Sequence, residues 1–176
     1  MNNALIVIDV QNDFVNLNAL GTLEAANAIP SIRSLVDKFL KENKPIYYTQ
    51  DTHYEDYLHT QEGLKLPVEH CHYGTDGWRI VYECETKDTE YNNVHHLYKT
   101  AFAYDDWEDE HLDQYDEVIV CGFVSSICVV SNIAVIKMLY PELPVKFAAY
   151  ASAGLTPENH RAAIEVLRSM QVEIIE

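Results

Sequence analysis

The sequence predicts an α/β chain, a three-layer sandwich in which a central, mostly parallel sheet is flanked by helices. Three observations carry that prediction. Short β-branched and apolar runs alternate along the chain with amphipathic stretches of helical period. The first run, residues 4–10, stays apolar from Ala4 to Ile8, as a strand buried on both faces requires. Finally, 176 residues with 48% hydrophobic and 23% charged composition suit one domain, residues 1–176. A chain of that length buries about 70% of its unfolded surface and needs no disulfide or structural metal to hold a core.

The elements follow in order. After the first strand, residues 29–42 place Ile32, Leu35, Val36, Phe39 and Leu40 on one helical face, with Pro30 tolerable in the first turn. Pro45 introduces a second strand at 46–50. Residues 51–78, rich in His, Tyr, Gly and Pro, show little periodicity, and an aperiodic stretch of that length is usually functional. An apolar stretch around Leu97 precedes Lys99. Residues 118–121 read as a strand, 127–139 as a largely apolar helix, and 145–149 as another strand. Pro157 opens a helix over 157–170, and 172–175 forms a short last strand. Strands alternating with helices imply parallel pairing through right-handed crossovers. No repeat, low-complexity tract or linker divides the chain.

Composition excludes several functions. Twenty-eight acidic residues against twelve basic give a net charge of −16, the wrong sign for binding a phosphate backbone, so nucleic acid is not an expected partner. The acids crowd into 83–90 and 105–116, which read as solvated surface. No apolar run approaches the roughly 20 residues that span a bilayer, so no membrane partner is expected. With no basic segment leading into an apolar stretch at the start, the chain reads as cytoplasmic. The cysteines at 71, 84, 121 and 128 form no dense framework and read as free thiols. Twelve tyrosines could line a homo-oligomer interface or a pocket lid.

In open α/β sheets a ligand site lies beyond the carboxyl ends of the strands. There the sequence sets Asp9, Asp51 with His53, Lys99 and, past the strand ending near Gly122, Cys128. Taken singly, each has an ordinary explanation in packing, turn capping or solvation. Together they suit acyl transfer. A thiol is a good nucleophile only as thiolate, which a helix start and a nearby cation favour. Cys128 follows Ser125 and Ser126, either able to cap that helix. Asp9 can take the thiol proton and return it to a leaving amine, with Lys99 holding the Asp9 charge and favouring the thiolate. For a divalent metal, Asp51, His53, His59, Glu62 and His70 offer the oxygen and nitrogen donors that suit Zn, Mn or Fe. The remaining histidines, His72, His95, His96 and His111, read as surface residues.

These motifs resemble the isochorismatase-like cysteine hydrolases, and the nicotinamidase branch most of all, over nearly the whole chain. Ile8-Asp9-Val10-Gln11-Asn12-Asp13-Phe14 resembles the family's D-x-Q-x-D-F start, with a catalytic aspartate and a pocket-lining aromatic, Phe14. Lys99-Thr100-Ala101-Phe102 resembles its lysine segment, and Gly122-Phe123-Val124-Ser125-Ser126-Ile127-Cys128-Val129 its nucleophile turn, with serines where Thr and Asp are usual. The resemblance implies a triad of Asp9, Lys99 and Cys128, a cis peptide between Phe123 and Val124, and an oxyanion site at the Val124 and Cys128 amides. It gives the segment 153–160 a structural role in opening the last helix. It matches Asp51, His53 and His70 to metal ligands and leaves the fourth between Glu62 and His59, with Glu62 preferred. Leu66 stands at the substrate position where an aromatic followed by two prolines is usual.

The implied activity is metal-assisted hydrolysis of a small-molecule amide through a thioester, nicotinamide to nicotinate plus ammonia. Hydrolysis of another small amide, or a non-catalytic metal- or partner-binding relative, are the alternatives. Vinyl-ether hydrolysis is disfavoured, because relatives with that activity do without the cysteine.

Overall fold

The computed structural model describes residues 1–15, 19–86 and 92–176. The end of the acidic run at 83–90 therefore lies outside the described residues. Six strands, β1 (Asn3–Ile8), β2 (Ile46–Asp51), β3 (Val94–Lys99), β4 (Glu117–Gly122), β5 (Val145–Ser152) and β6 (Glu173–Ile175), form one sheet in the order β3-β2-β1-β4-β5-β6. Every pairing is parallel. The helices are α1 (Leu23–Lys41), α2 (Gln61–Lys65), α3 (Val130–Leu139) and α4 (Pro157–Ser169).

The three layers follow from the pleat of β1. Leu5 and Val7 face the α1 side with Ile32, Val36 and Phe39, while Ala4, Ile6 and Ile8 face Ile133, Ile136 and Leu167 of α3 and α4. All six β1 residues are buried, which is why the run shows no polar alternation. Strand order reverses between β1 and β4, opening a crevice past their carboxyl ends. Gly122 makes that seam possible. Its φ is +114°, and a Cβ there would run into the Ile8 carbonyl, which instead accepts the Phe123 N–H at 2.8 Å.

Two helices begin elsewhere than the sequence suggests. α1 starts two turns before residue 29, where the Thr22 hydroxyl accepts the Ala25 N–H and caps it, so Pro30 sits inside the helix and not in its first turn. Pro30 faces solvent there, on the side of the helix away from the sheet. The stretch 127–139 is not one helix from its start. Residues Ser125–Val129 form a wider turn in which Val129 N–H reaches back five residues to the Val124 carbonyl at 3.2 Å, and α3 proper begins at Val130.

All four cysteines are free and buried. The run at 105–116 is exposed apart from Trp107 and Leu112, which are buried, and the half-buried Glu110 and Tyr115. Two of the histidines read as surface residues are structural: His95 stacks on Tyr47 at 4.6 Å, and His96 stacks on Tyr48 at 5.1 Å with Nδ1 3.0 Å from Gln50 Oε1. Parallel register brings these neighbours face to face, because Tyr47 and Tyr48 pair with His95 and His96. Among the described residues, no helix is long and apolar enough to cross a membrane.

Candidate active site

The register of β2 with β3 sets Asp51 opposite Lys99, and that of β1 with β2 sets Ile8 opposite Thr49. Asp9, the next residue, leaves the strand with φ +48° and is fully buried. Its N–H donates to the Thr49 carbonyl at 3.1 Å, and Thr49 Oγ1 donates to Asp9 Oδ1 at 2.6 Å. A non-glycine residue in the left-handed region is uncommon, and here it turns the carboxylate into the crevice.

Lys99 Nζ is the hub. It lies 2.8 Å from Asp9 Oδ2 and 3.2 Å from Asp51 Oδ1, and donates to the Ala101 carbonyl at 3.0 Å and toward Cys128 Sγ at 3.7 Å. The structure therefore brings together Asp9, Lys99 and Cys128, and all three are buried. The Phe123-Val124 bond is cis, as the resemblance implied. Val124 opens the wide turn, and its carbonyl accepts the Ile127 and Val129 amides at 3.0 and 3.2 Å.

Electrostatics correct one expectation. Cys128 was expected to have its thiol pKa lowered by the helix start and Lys99. Burial instead pushes it well above 9.0; Lys99 opposes this, while Asp9 and Asp51 add to it. The resting group is the thiol, so a base must remove its proton. Burial likewise raises Asp9 above 3.8 against the pull of Lys99. Burial disfavours the Lys99 ammonium, but Asp9, Cys128 and Asp51 together hold it well above 10.5.

Capping by Ser125 or Ser126 is also corrected, since the turn opens at Val124 without a side-chain cap. The buried Ser125 hydroxyl lies 3.0 Å from His160 Nδ1 on α4, tying the Ser125–Val129 turn to the last helix. Burial holds His160 below 6.5, favouring the neutral ring. A depressed folded pKa contributes stability that is present above the unfolded value and lost as pH falls through the folded one. His160→Asn is accordingly expected to lose less stability than the native chain on acidification below 6.5, read from urea midpoints across a pH series.

Beside the triad, Asp51, His53, Glu62 and His70 offer four ligand atoms that all lie within 4.8 Å of one another. His53 Nε2 is 2.9 Å and His70 Nε2 3.4 Å from Asp51 Oδ2, and both are 3.9 Å from Glu62 Oε1. His70 Nδ1 lies 2.7 Å from the Val68 carbonyl, which fixes the ring with Nε2 facing the group. The donor set fits a divalent transition metal: two imidazoles and two carboxylates, largely buried, with Glu62 pushed above 4.5 by burial and by Asp51. Burial opposes the Asp51 charge, yet Lys99, His53 and His70 hold its pKa well below 3.8. Glu62 belongs to the group and His59, which is exposed, does not.

Phe14 is buried with its ring 5.7 Å from His70, edge to face. Leu66 is 36% exposed, and its carbonyl accepts from Tyr57 Oη at 2.9 Å and from Val68 N at 2.7 Å.

Several supporting residues were not singled out by sequence reasoning. Thr49 orients Asp9. Gln11, noted only as part of a motif, accepts the Asp51 N–H through Oε1 and donates to the Asp51 carbonyl through Nε2, both at 2.8 Å. Asn132 Nδ2 donates to the Cys128 carbonyl at 2.7 Å, while its Oδ1 accepts from Tyr104 N and Trp107 Nε1 at 3.0 and 2.8 Å. A lone Asn in a stretch as apolar as 127–139 was the available signal for it.

Comparison with solved structures gives close fold matches. The chain is similar to the nicotinamidase/pyrazinamidase PncA from Bacillus subtilis, at 24% identity over 100% of both chains with a TM-score of 0.89. It is similar to the pyrazinamidase of Pyrococcus horikoshii in complex with zinc, at 24% identity over 100% of this chain and 99% of that one, TM-score 0.84. It is also similar to N-carbamoylsarcosine amidase from Thermoplasma acidophilum, at 23% identity over 99% and 95%, TM-score 0.79. No curated protein matches the sequence. The isochorismatase domain matches residues 3–176, from the first residue of β1 to the last of the chain, and the protein belongs to the isochorismatase family.

Proposed function

We propose that the protein is a cysteine-dependent, metal-assisted amide hydrolase that converts nicotinamide to nicotinate and ammonia. The observation that carries this reading is the single ammonium of Lys99 in reach of Asp9, Cys128 and the ligand Asp51. In the first half-reaction Asp9 takes the Cys128 proton as sulfur attacks the amide carbon, and the carbonyl electron pair moves onto oxygen. The Val124 and Cys128 amides are the donors for that oxyanion. Asp9 returns the proton to nitrogen, the C–N bond breaks, and ammonia leaves a thioester. Water, deprotonated by Asp9, then attacks the thioester; the acid departs and the thiol is restored. A divalent ion held by Asp51, His53, Glu62 and His70 would supply a Lewis acid able to anchor a ring nitrogen of the substrate. Phe14, against His70, walls that position.

Leu66 favours a second reading. With no aromatic there to stack on a heteroaromatic ring, another small amide is the alternative substrate. Ammonia release is to be measured with nicotinamide and a panel of primary amides, before and after chelation and with Zn, Mn or Fe restored. Fast, metal-dependent release from nicotinamide is expected. Release only from another amide keeps the triad and removes the substrate assignment, and silence on every amide would leave a non-catalytic relative.

A further inference from the structure

Tyr57 has no part in the chemistry above, yet it touches every segment that supplies a ligand after Asp51. Its side chain is 1% exposed. The ring lies 4.5 Å from His53, and 5.1 Å from His70 at 83° to it, so one aromatic ring contacts both imidazoles. Its hydroxyl donates to the carbonyl of Leu66, the residue just after α2, four positions before His70. Burial pushes the phenol up to about 12, which keeps it a donor.

The backbone of Tyr57 holds the remaining ligand. Its carbonyl accepts from Thr60 N at 2.9 Å and Thr60 Oγ1 at 2.7 Å, and Thr60 Oγ1 in turn accepts the Gly63 N–H at 3.0 Å to cap α2. A Cβ on Gly63 would run into the Tyr57 carbonyl, so α2 sits directly on this residue, with Glu62 next to the point of contact. Chain position alone spreads His53, Glu62 and His70 over two turns and a short helix. One buried tyrosine gathers them.

We infer that Tyr57 is a positioning residue that sets the spacing of His53, Glu62 and His70, and thereby the affinity and coordination geometry with which a divalent cation is held. The inference rests on the metal reading under Proposed function. Groups that orient ligands from behind typically change metal affinity 10- to 100-fold when lost. It also gives Leu66 a role through its carbonyl.

The test compares native protein with Tyr57→Phe, which keeps the ring, and Tyr57→Leu, which removes it. Each metal-free protein is titrated with Zn²⁺ against a chromophoric chelator and with Co²⁺ as a visible-absorption probe, and its melting temperature is recorded without metal. Tyr57→Phe is expected to weaken Zn²⁺ binding about tenfold and Tyr57→Leu about 100-fold, with an altered Co²⁺ spectrum in both. Native affinity and an unchanged Co²⁺ spectrum in both variants, even with lower metal-free melting temperatures, would reduce Tyr57 to a packing residue and overturn the inference. Absence of Zn²⁺ and Co²⁺ binding by the native protein would overturn the metal reading itself and this inference with it, an outcome visible in the native arm alone.

Discussion

Cys128→Ala is expected to remove amide hydrolysis almost completely, with kcat falling about 10⁴-fold or more while the fold survives. The size of the effect follows from the role: without sulfur there is no thioester, and what remains is binding and polarisation, which in other nucleophilic hydrolases leave little activity. The fold is expected to persist because the change removes one buried sulfur, and Lys99 keeps Asp9 at 2.8 Å, Asp51 at 3.2 Å and the Ala101 carbonyl at 3.0 Å. A stability loss of about 1–2 kcal/mol is expected from the small cavity. Cys128→Ser separates nucleophilicity from shape: it fits the same space, but its hydroxyl is far less acidic than a thiol and Asp9 is a weak base for it. Ammonia release by the alanine variant at more than a tenth of the native rate would remove Cys128 from the chemistry.

Lys99→Met is expected to destabilise the fold as well as silence it. The native ammonium is 2% exposed and faces two buried carboxylates; taking it away leaves Asp9 and Asp51 as like charges with no buried cation. Breaking such a pair by removing one partner costs about 3–5 kcal/mol. The pH dependence should change too. In the native protein the lowered Asp51 pKa contributes stability above 3.8 that is lost as pH falls through the folded value. In the variant both carboxylates lose the cation that lowers them: Asp9, already raised above 3.8 by burial, rises further, and Asp51, still held down by His53 and His70, rises from its native value. The Asp9 contribution is then greatest below the unfolded value and is lost as pH rises, while the opposite contribution of Asp51 shrinks. Metal-free Lys99→Met is therefore expected to lie closer to native stability at about pH 5 than at neutral pH, read from urea unfolding. A deficit independent of pH would mean that Lys99 contributes by packing alone.

Much of this architecture is legible in the residues themselves. The unbroken apolar run of β1 can only be a strand covered on both faces, and chemistry-bearing side chains just past several strands mark the rim where a site must lie. What escaped depends on direction and depth. Pro30 reads as a helix start because proline belongs there by propensity; α1 instead runs back to a threonine cap, and an exposed proline inside a long packed helix is tolerated. His59 and Glu62 are both possible ligands on paper, with Glu62 preferred, and in the fold Glu62 joins the group while His59 is exposed. The Cys128 acidity was misjudged for the same reason: spacing shows a nearby lysine but not the depth at which both lie, and depth dominates. Thr49 and Asn132 act through hydrogen bonds to the backbone or to a catalytic group, which composition does not reveal.

The placement of Lys99 at the end of an edge strand, paired with Asp51 and within reach of Asp9, has a thermodynamic consequence. Under the proposed function, a cation on Asp51 would compete with Lys99 for that carboxylate and leave the ammonium more fully committed to Asp9. Linkage is reciprocal, so the factor by which a bound cation would change the proton affinity of Asp9 is the factor by which protonating Asp9 would change cation affinity. The two halves of the site are thus not separately adjustable. Titrating either one reads out the other, through the shared ammonium and the direct repulsion between the two carboxylates.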